Sequence, residues 1–244
     1  MNARLSLLII LSAGLPVAAR AVIDEPYVPT KIIQTEPAIY PRAATDLGIL
    51  SGEARVSLQV DDDGKLSDYL VTAYSHPLFA ESAVAALKRW SYEPALVHGH
   101  PRNSTLDLTF FFKSEGMVVV NLTVTSYVQL RDAAMRPGAY AFSACTLRQL
   151  DRIPTPTKVV QPVYSGPPVK EPQKVTVMFF IDQKGRVRLP AVSRRTNEAS
   201  ELLAAAAVEA VAQWEFEPPL SKGVPVLVEA RQDFNFQPPA EKSR

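Results

Sequence analysis

The sequence carries the same spaced motif twice, 124 residues apart. The motif is Trp-x-aromatic-Glu-Pro-x4-Gly-x-Pro, and it occupies residues 90–101 and 214–225. An internal repeat constrains the fold more than any local pattern, because each copy should form the same supersecondary unit. The chain is therefore predicted to contain two copies of one module, and a residue that the module needs should appear in both.

The match continues upstream of the motif. Residues 29–34 (Pro-Thr-Lys-Ile-Ile-Gln) correspond to residues 156–161 (Pro-Thr-Lys-Val-Val-Gln), and Tyr40 corresponds to Tyr164. The offset changes slightly between these blocks, which indicates small insertions and deletions in loops.

Alternating apolar and polar residues predict a hairpin and a closing strand in each copy. The turn between the hairpin strands contains Asp63-Gly64 or Lys184-Gly185, and glycine relieves the steric cost of positive φ there. The predicted strands are residues 54–60, 66–73 and 106–112 in the first copy, and residues 175–182, 187–192 and 228–236 in the second.

Apolar residues at helical spacing follow each hairpin, so one face of each predicted helix should be buried. Proline cannot continue a helix, and Pro94 and Pro218 are predicted to end these segments. The predicted fold class is α+β, with two small modules in tandem, each an antiparallel sheet packed by helices. The buried stripes are Phe79, Ala83, Ala86, Leu87 and Trp90 in the first copy, and Leu203, Ala207, Ala210, Val211 and Trp214 in the second.

The segment between the copies, residues 114–146, is predicted to be folded. Residues 118–124 alternate as a strand, residues 127–135 have the pattern of one or two helical turns, and residues 136–138 form a turn. We expect domains at residues 22–113 and 147–238, and a disordered tail at 239–244.

The N-terminus has the pattern of a secretory signal peptide. Arg4 precedes a short apolar run, and small residues lie at Ala19 and Ala21. We expect cleavage after Ala21 and export from the cytoplasm. The alternative is a retained membrane anchor, although Gly14 and Pro16 interrupt the run and a spanning helix needs about 20 apolar residues.

Charge and motif content argue against several function classes. The 26 Lys and Arg residues are nearly balanced by 25 Asp and Glu residues, which is not the footprint of a nucleic-acid-binding protein. No motif of a catalytic nucleophile with its base is present, so we expect no enzyme. The turn His98-Gly99-His100 has no histidine in the second copy, so we expect neither a metal nor another cofactor. Cys145 is expected to be a buried, inert thiol.

These motifs together resemble the C-terminal domain of the TonB energy-transducer family. The resemblance rests on Gln161-Pro162-x-Tyr164, the hairpins, the Ala-rich helices ending in tryptophan, the aromatic-Glu-Pro and Gly-x-Pro turns, and the closing Phe-x-Phe. It implies a periplasmic protein-binding module that adds a receptor's N-terminal peptide to a sheet edge. The chain lacks the family's long spacer, and it has no histidine before His76.

The resemblance leads to a first functional expectation and two alternatives. The first is a periplasmic, non-catalytic binding protein that contacts outer-membrane receptor peptides by strand addition, since a sheet edge offers unpaired backbone groups. The alternatives are a membrane-anchored divergent transducer that works with a proton-driven motor complex, and a structural envelope or secretion component. The expected partner-binding residues are Gln161, Leu106, Leu108, Phe110, Phe112, Val228, Ala230, Gln232, Phe234 and Phe236.

Overall fold

The computed structural model describes residues 27–114, 118–123, 140–166, 168–192 and 201–238, with backbone only for residues 118–123. The predicted signal peptide, the helical turns at 127–135, the turn at 136–138 and the tail at 239–244 lie outside the described residues. The described residues have an α+β architecture rich in strands. No helix among them is long and apolar enough to span a membrane.

The first half of the chain is built around one long hairpin, a helix and a closing strand. Its elements are β1 (Tyr27–Val28), β2 (Lys31–Gln34), α1 (Arg42–Asp46), β3 (Ser51–Val60), β4 (Leu66–Tyr74), α2 (Pro77–Leu87), β5 (Ser91–Glu93), β6 (Ala95–Val97), β7 (His100–Arg102), β8 (Ser104–Lys113) and β9 (Val118–Thr123).

The second half repeats the hairpin, helix and closing strand. Its elements are β10 (Phe142–Ser143), β11 (Cys145–Thr146), a 3-10 turn (Leu147–Gln149), β12 (Pro156–Lys158), β13 (Gln173–Ile181), β14 (Val187–Val192), α3 (Glu201–Ala212), β15 (Glu215–Phe216), β16 (Leu220–Ser221), β17 (Val224–Pro225) and β18 (Val228–Phe236).

Two larger sheets carry these elements. The first sheet has the strand order β10-β4-β3-β8-β9, and the second has the order β11-β18-β13-β14. All neighbours are antiparallel except β11 and β18, which are parallel. The region between the repeats therefore belongs to both sheets, because β9 and β10 flank the first sheet and β11 begins the second.

One helix covers one face of each sheet. The α2 residues Phe79, Ala83 and Leu87 pack with Val56 and Leu58 of β3 in a single core. In the second half, Leu203, Ala207 and Val211 of α3 pack in the same way with β13 and β18. Small alanine side chains on both helices let the helix backbone approach the sheet closely.

The opposite faces of the two sheets pack against each other. Phe180 of β13 and Leu189 of β14 lie in a third apolar cluster with Leu70 of β4 and Phe142 of β10. Arg188 of β14 crosses this interface and forms a bidentate ion pair with Asp68 of β4, with a distance of 2.8 Å between Nε and Oδ2. The order of layers is thus helix, sheet, sheet, helix.

Both helices end earlier than predicted. The α2 helix ends at Leu87 and α3 ends at Ala212, so Trp90 and Trp214 lie just beyond them rather than within the helical stripe. The last turns tighten instead, since the backbone N–H groups of these tryptophans bond to carbonyls only three residues back, at Leu87 and Val211.

The repeated motif has the same structural role in both halves. The indole N–H of Trp90 donates to the carbonyl of Glu36 at 2.7 Å, and that of Trp214 donates to the carbonyl of Val160 at 2.8 Å. Each tryptophan is only 8% exposed, so both belong to the core. The motif therefore anchors the lead-in segment of each half to the end of the helix.

Two glycines of the hairpin turns sit against the same motif. Gly64 and Gly185 have φ near +80° (79° and 81°), the region that favours glycine. A Cβ at Gly64 would lie 2.7 Å from the carbonyl oxygen of Tyr92, and one at Gly185 would overlap the carbonyl oxygen of Phe216. The hairpin turn and the aromatic residue of the motif consequently depend on each other.

Candidate functional site

The outer edge of β18 is the candidate site. This strand pairs with β13 along its whole length on one side. On the other side it pairs only with β11, at Val228 and Glu229. Among the described residues, no strand adjoins the stretch from Ala230 to Phe236 on that outer side. We call residues 230–236 of β18 the open edge.

The alternation of the strand decides which backbone groups face outward. The N–H of Cys145 donates to the carbonyl of Leu227 at 2.8 Å, so the polar groups of Leu227 point away from β13. The pairing of β13 with β18 is regular over its length, so the backbone groups of Arg231, Asp233 and Asn235 also point outward. The side-chain amide of Gln232 donates to the carbonyl of Asp233 at 2.9 Å, as expected for a carbonyl that no strand uses.

The residues predicted to bind a partner in this strand are therefore not the residues whose backbone groups face outward. Strand alternation directs the backbone groups of Val228, Ala230, Gln232, Phe234 and Phe236 toward β13. The outward groups belong to the residues between them. A partner strand would pair with those intervening residues.

The equivalent strand of the first half has no open edge. The strand β8 pairs with β3 on one side and with β9 on the other, from Asp107 opposite Thr123 to Phe112 opposite Val118. The expectation that Leu106, Leu108, Phe110 and Phe112 lie on an exposed edge is thus corrected. Each of these four side chains is buried in the core under α2.

Gln161 lies in the lead-in segment, next to the residue that bonds to Trp214. It follows Val160 in the lead-in segment, and its side chain is exposed. Within the part of the chain that the structure describes, Gln161 forms no hydrogen bond with β18. The neighbouring Val160 has the structural role, because its carbonyl accepts the indole N–H of Trp214.

The two faces of the open edge differ in chemistry. On the helix side, Phe234 and Phe236 are half-buried, and the rings of Phe234 and Trp214 are 5.8 Å apart. On the other side, Asp233 accepts a hydrogen bond from Thr176 at 2.7 Å and an ion pair from Lys174 at 2.9 Å. These contacts, chiefly the Thr176 hydrogen bond, lower the pKa of the Asp233 carboxyl.

Arg231 is the exposed cation of the open edge. No hydrogen bond or salt bridge joins its side chain to another described residue, and its positive charge contributes to the lowered pKa of Asp233. The nearby carboxylate of Asp233 is already bonded to Lys174 and Thr176. An incoming strand would therefore meet a guanidinium group with donors to spare.

A buried acidic group lies on the face of the first sheet that is opposite α2. Asp107 of β8 is 7% exposed and accepts a 2.5 Å hydrogen bond from the hydroxyl of Ser57. Burial raises the pKa of this carboxyl to about 6, the Ser57 hydrogen bond opposes the rise, and the negative charge of Glu229 adds to it. Because Glu229 is on β18, this charge repulsion acts between the two sheets.

The remaining sequence candidates have structural roles. His98 and Gly99 both have positive φ, as do Lys222 and Gly223, which is the geometry of a tight two-residue hairpin. The searched residues contain no group of three or more His, Cys, Asp or Glu side chains that could hold a metal. Cys145 is half-buried in β11, and burial raises the pKa of its thiol.

Sequence reasoning missed the carboxylates that organise the hairpin turns. An Oδ1 atom of Asp61 accepts from the backbone N–H groups of Asp63 and Lys65, and Asp182 does the same for Lys184 and Arg186. The signal was present, since an aspartate lies three residues before the turn glycine in both copies. Asp61 therefore stabilises the hairpin turn.

Comparison with known proteins assigns the family. No curated protein matches the chain. The family described as Gram-negative bacterial TonB protein C-terminal matches residues 36–114 and 172–238, which together are more than half of the chain. Each matched segment contains one hairpin, one Ala-rich helix and one closing strand. The chain belongs to the TonB C-terminal domain family.

Proposed function

We propose that the protein is a periplasmic, non-catalytic binding protein that holds a partner peptide by strand addition at the open edge of β18. In this proposal, residues 22–113 and 147–238 are two TonB C-terminal-like domains, and the segment 1–21 is a signal peptide cleaved on export. The partners that fit the family are the N-terminal peptides of outer-membrane TonB-dependent receptors.

The observation that carries the proposal is the row of outward backbone groups at Arg231, Asp233 and Asn235. Backbone N–H and C=O groups in a sheet edge pair readily with an extended peptide. The half-buried rings of Phe234 and Phe236 lie beside the same stretch and offer apolar contact to alternate side chains of the incoming strand. Both elements that strand addition needs are present together.

The two halves are not equivalent in this proposal. In the first half β9 already occupies the edge of β8, so one chain offers one open edge of this type among the described residues. We therefore expect one receptor peptide per chain. A second bound peptide of similar affinity, seen by calorimetric titration, would contradict this stoichiometry.

Hydrogen exchange and a proline substitution test the proposal together. In the free protein, the amides of Arg231, Asp233 and Asn235 should exchange faster than those of Gln232 and Phe234, and a bound peptide should protect them. Asn235→Pro removes one outward donor without breaking the ladder with β13, so it should weaken binding, whereas Asn235→Ala should not. Peptide binding that leaves these amides unprotected would refute strand addition at β18.

A further inference from the structure

The closing strands β8 and β18 occupy equivalent positions, and their surroundings show the equivalence directly. The rings of Trp90 and Phe110 are 5.7 Å apart, and those of Trp214 and Phe234 are 5.8 Å apart. The next aromatic pair is also preserved, with Phe110 and Phe112 at 6.4 Å, and Phe234 and Phe236 at 6.5 Å. The offset of 124 thus aligns residues 107–112 with residues 231–236.

The first half consequently shows this edge with a strand bound to it. β9 pairs antiparallel with residues 107–112, which correspond to the open edge. Its sequence is Val-Val-Val-Asn-Leu-Thr, which is uncharged and rich in β-branched residues. β9 therefore indicates the direction, length and residue types of a strand that the open edge of β18 can accept.

The sign of the charge reverses at one position of this edge between the copies. Asp107 is buried and its strand pairs it with Thr123 of β9. The equivalent residue in the second half is Arg231, which is exposed. Two acidic groups lie on the same face of β18, but Asp233 is bonded to Lys174 and Thr176, and Glu229 lies near Asp107. A strand bound here would place its sixth residue beside a guanidinium group.

We propose that the open edge of β18 binds a strand that runs antiparallel to β18, consists mainly of uncharged β-branched residues, and carries an aspartate or glutamate opposite Arg231. This inference rests on the proposed function and adds orientation and specificity to it. Antiparallel pairing is slightly more stable per residue than parallel pairing, which favours the direction seen for β9. Oppositely charged residues that face each other across two strands stabilise the pair, and like charges destabilise it.

Three peptides test the specificity. They contain the sequence of residues 118–123 with Thr, Asp or Lys at the sixth position, and binding to the full chain is measured by fluorescence anisotropy. The Asp peptide should bind about 2- to 30-fold more tightly than the Lys peptide, from a cross-strand pair energy of about 0.2 to 1 kcal/mol gained in one case and lost in the other.

Variants of Arg231 test whether this residue determines the preference for the charge at the sixth position of the peptide. Arg231→Gln should abolish the preference for the Asp peptide, and Arg231→Glu should reverse it in favour of the Lys peptide. Arg102→Glu is the matched control, because it makes the same charge change at an exposed arginine of the first half, and it should keep the original order. Binding without any charge preference, or a preference that persists in Arg231→Gln, would overturn the specificity.

Disulfide cross-linking tests the orientation. In the Cys145→Ser background, Gln237→Cys places a thiol just beyond the end of β18. A peptide with cysteine at its N-terminus should cross-link to this site faster than one with cysteine at its C-terminus. The opposite order, together with protection of the amides of Arg231 and Asp233, would overturn the antiparallel direction while leaving strand addition intact. Failure of all peptides to bind, while receptor peptides do bind, would overturn this inference and not the proposed function.

Discussion

Replacement of Asp107 by asparagine should stabilise the protein at neutral pH. The carboxyl is buried between the two sheets, and its pKa is raised from 3.8 to about 6. A folded pKa above the unfolded one means that the folded state binds the proton more tightly, so the contribution of this carboxyl to stability is most favourable below about pH 4 and falls as the pH rises through about 6. Above that pH the full cost of the buried charge remains.

The magnitude follows from the shift. A change of about 2 pKa units corresponds to about 3 kcal/mol, at about 1.36 kcal/mol per unit. Asparagine keeps an oxygen that can accept the Ser57 hydrogen bond and removes the repulsion with Glu229. We therefore expect Asp107→Asn to raise the free energy of unfolding at pH 7 by about 1 to 3 kcal/mol, and to have little effect at pH 4.

Urea denaturation between pH 4 and pH 8, followed by tryptophan fluorescence, measures this effect. Trp90 and Trp214 are buried in the two halves, so both halves are monitored. Asp62→Asn is the control, because Asp62 is an exposed turn residue, and its stability profile should follow that of the parent. A variant Asp107→Asn that is less stable than the parent at pH 7, or that keeps the same loss of stability between pH 4 and 6, would refute the reasoning.

Three further predictions concern the scaffold. Gly185→Ala should lower the free energy of unfolding by more than about 2 kcal/mol, because the new Cβ combines a positive φ with overlap of a backbone carbonyl. Gly99→Ala also has a positive φ but lies in open space, so it should cost about 1 kcal/mol. Thermal denaturation compares the two variants. Trp214→Phe removes the indole donor to the lead-in segment and should cost about 1 to 3 kcal/mol, measured by urea denaturation followed by circular dichroism. Arg188→Met breaks the ion pair with Asp68 across the sheets and should lower the free energy of unfolding by about 1 to 2 kcal/mol. The double variant with Asp68→Leu should recover part of this loss, because no unpaired charge remains. Urea denaturation of the single and double variants measures the recovery.

The elements that have a local periodicity were predictable. Residues 228–236 and 187–192 form strands with the predicted bounds, and the other predicted strands differ by a few residues at their ends. The helices were predicted too long, because the apolar stripe that includes Trp90 continues past the end of the helix at Leu87. A side chain that packs in the same core from an adjoining turn has the same apolar signal as one on the helix.

The candidate site was less predictable than the strands that form it. The sequence identifies Leu106–Phe112 and Val228–Phe236 as closing strands, but it gives no sign that β9 occupies one of them. The pairing of β18 with β13 decides whether the backbone groups of Arg231 or those of Gln232 face outward. No pattern of side chains along the sequence encodes that choice. Arg231, Asp233 and Asn235 were missed for this reason.

The sequence by itself determined the duplicated unit, its family, its hairpin turns and its apolar cores, because these follow from spacing, turn chemistry and alternation along the chain. The tertiary structure alone decided which edge is filled and which is open. It also decided that the two sheets pack face to face through an apolar cluster, with Asp107 buried beside Glu229. These features depend on pairing between segments distant in sequence, where backbone groups that are alike in every residue make the contacts, so local periodicity carries no information about them.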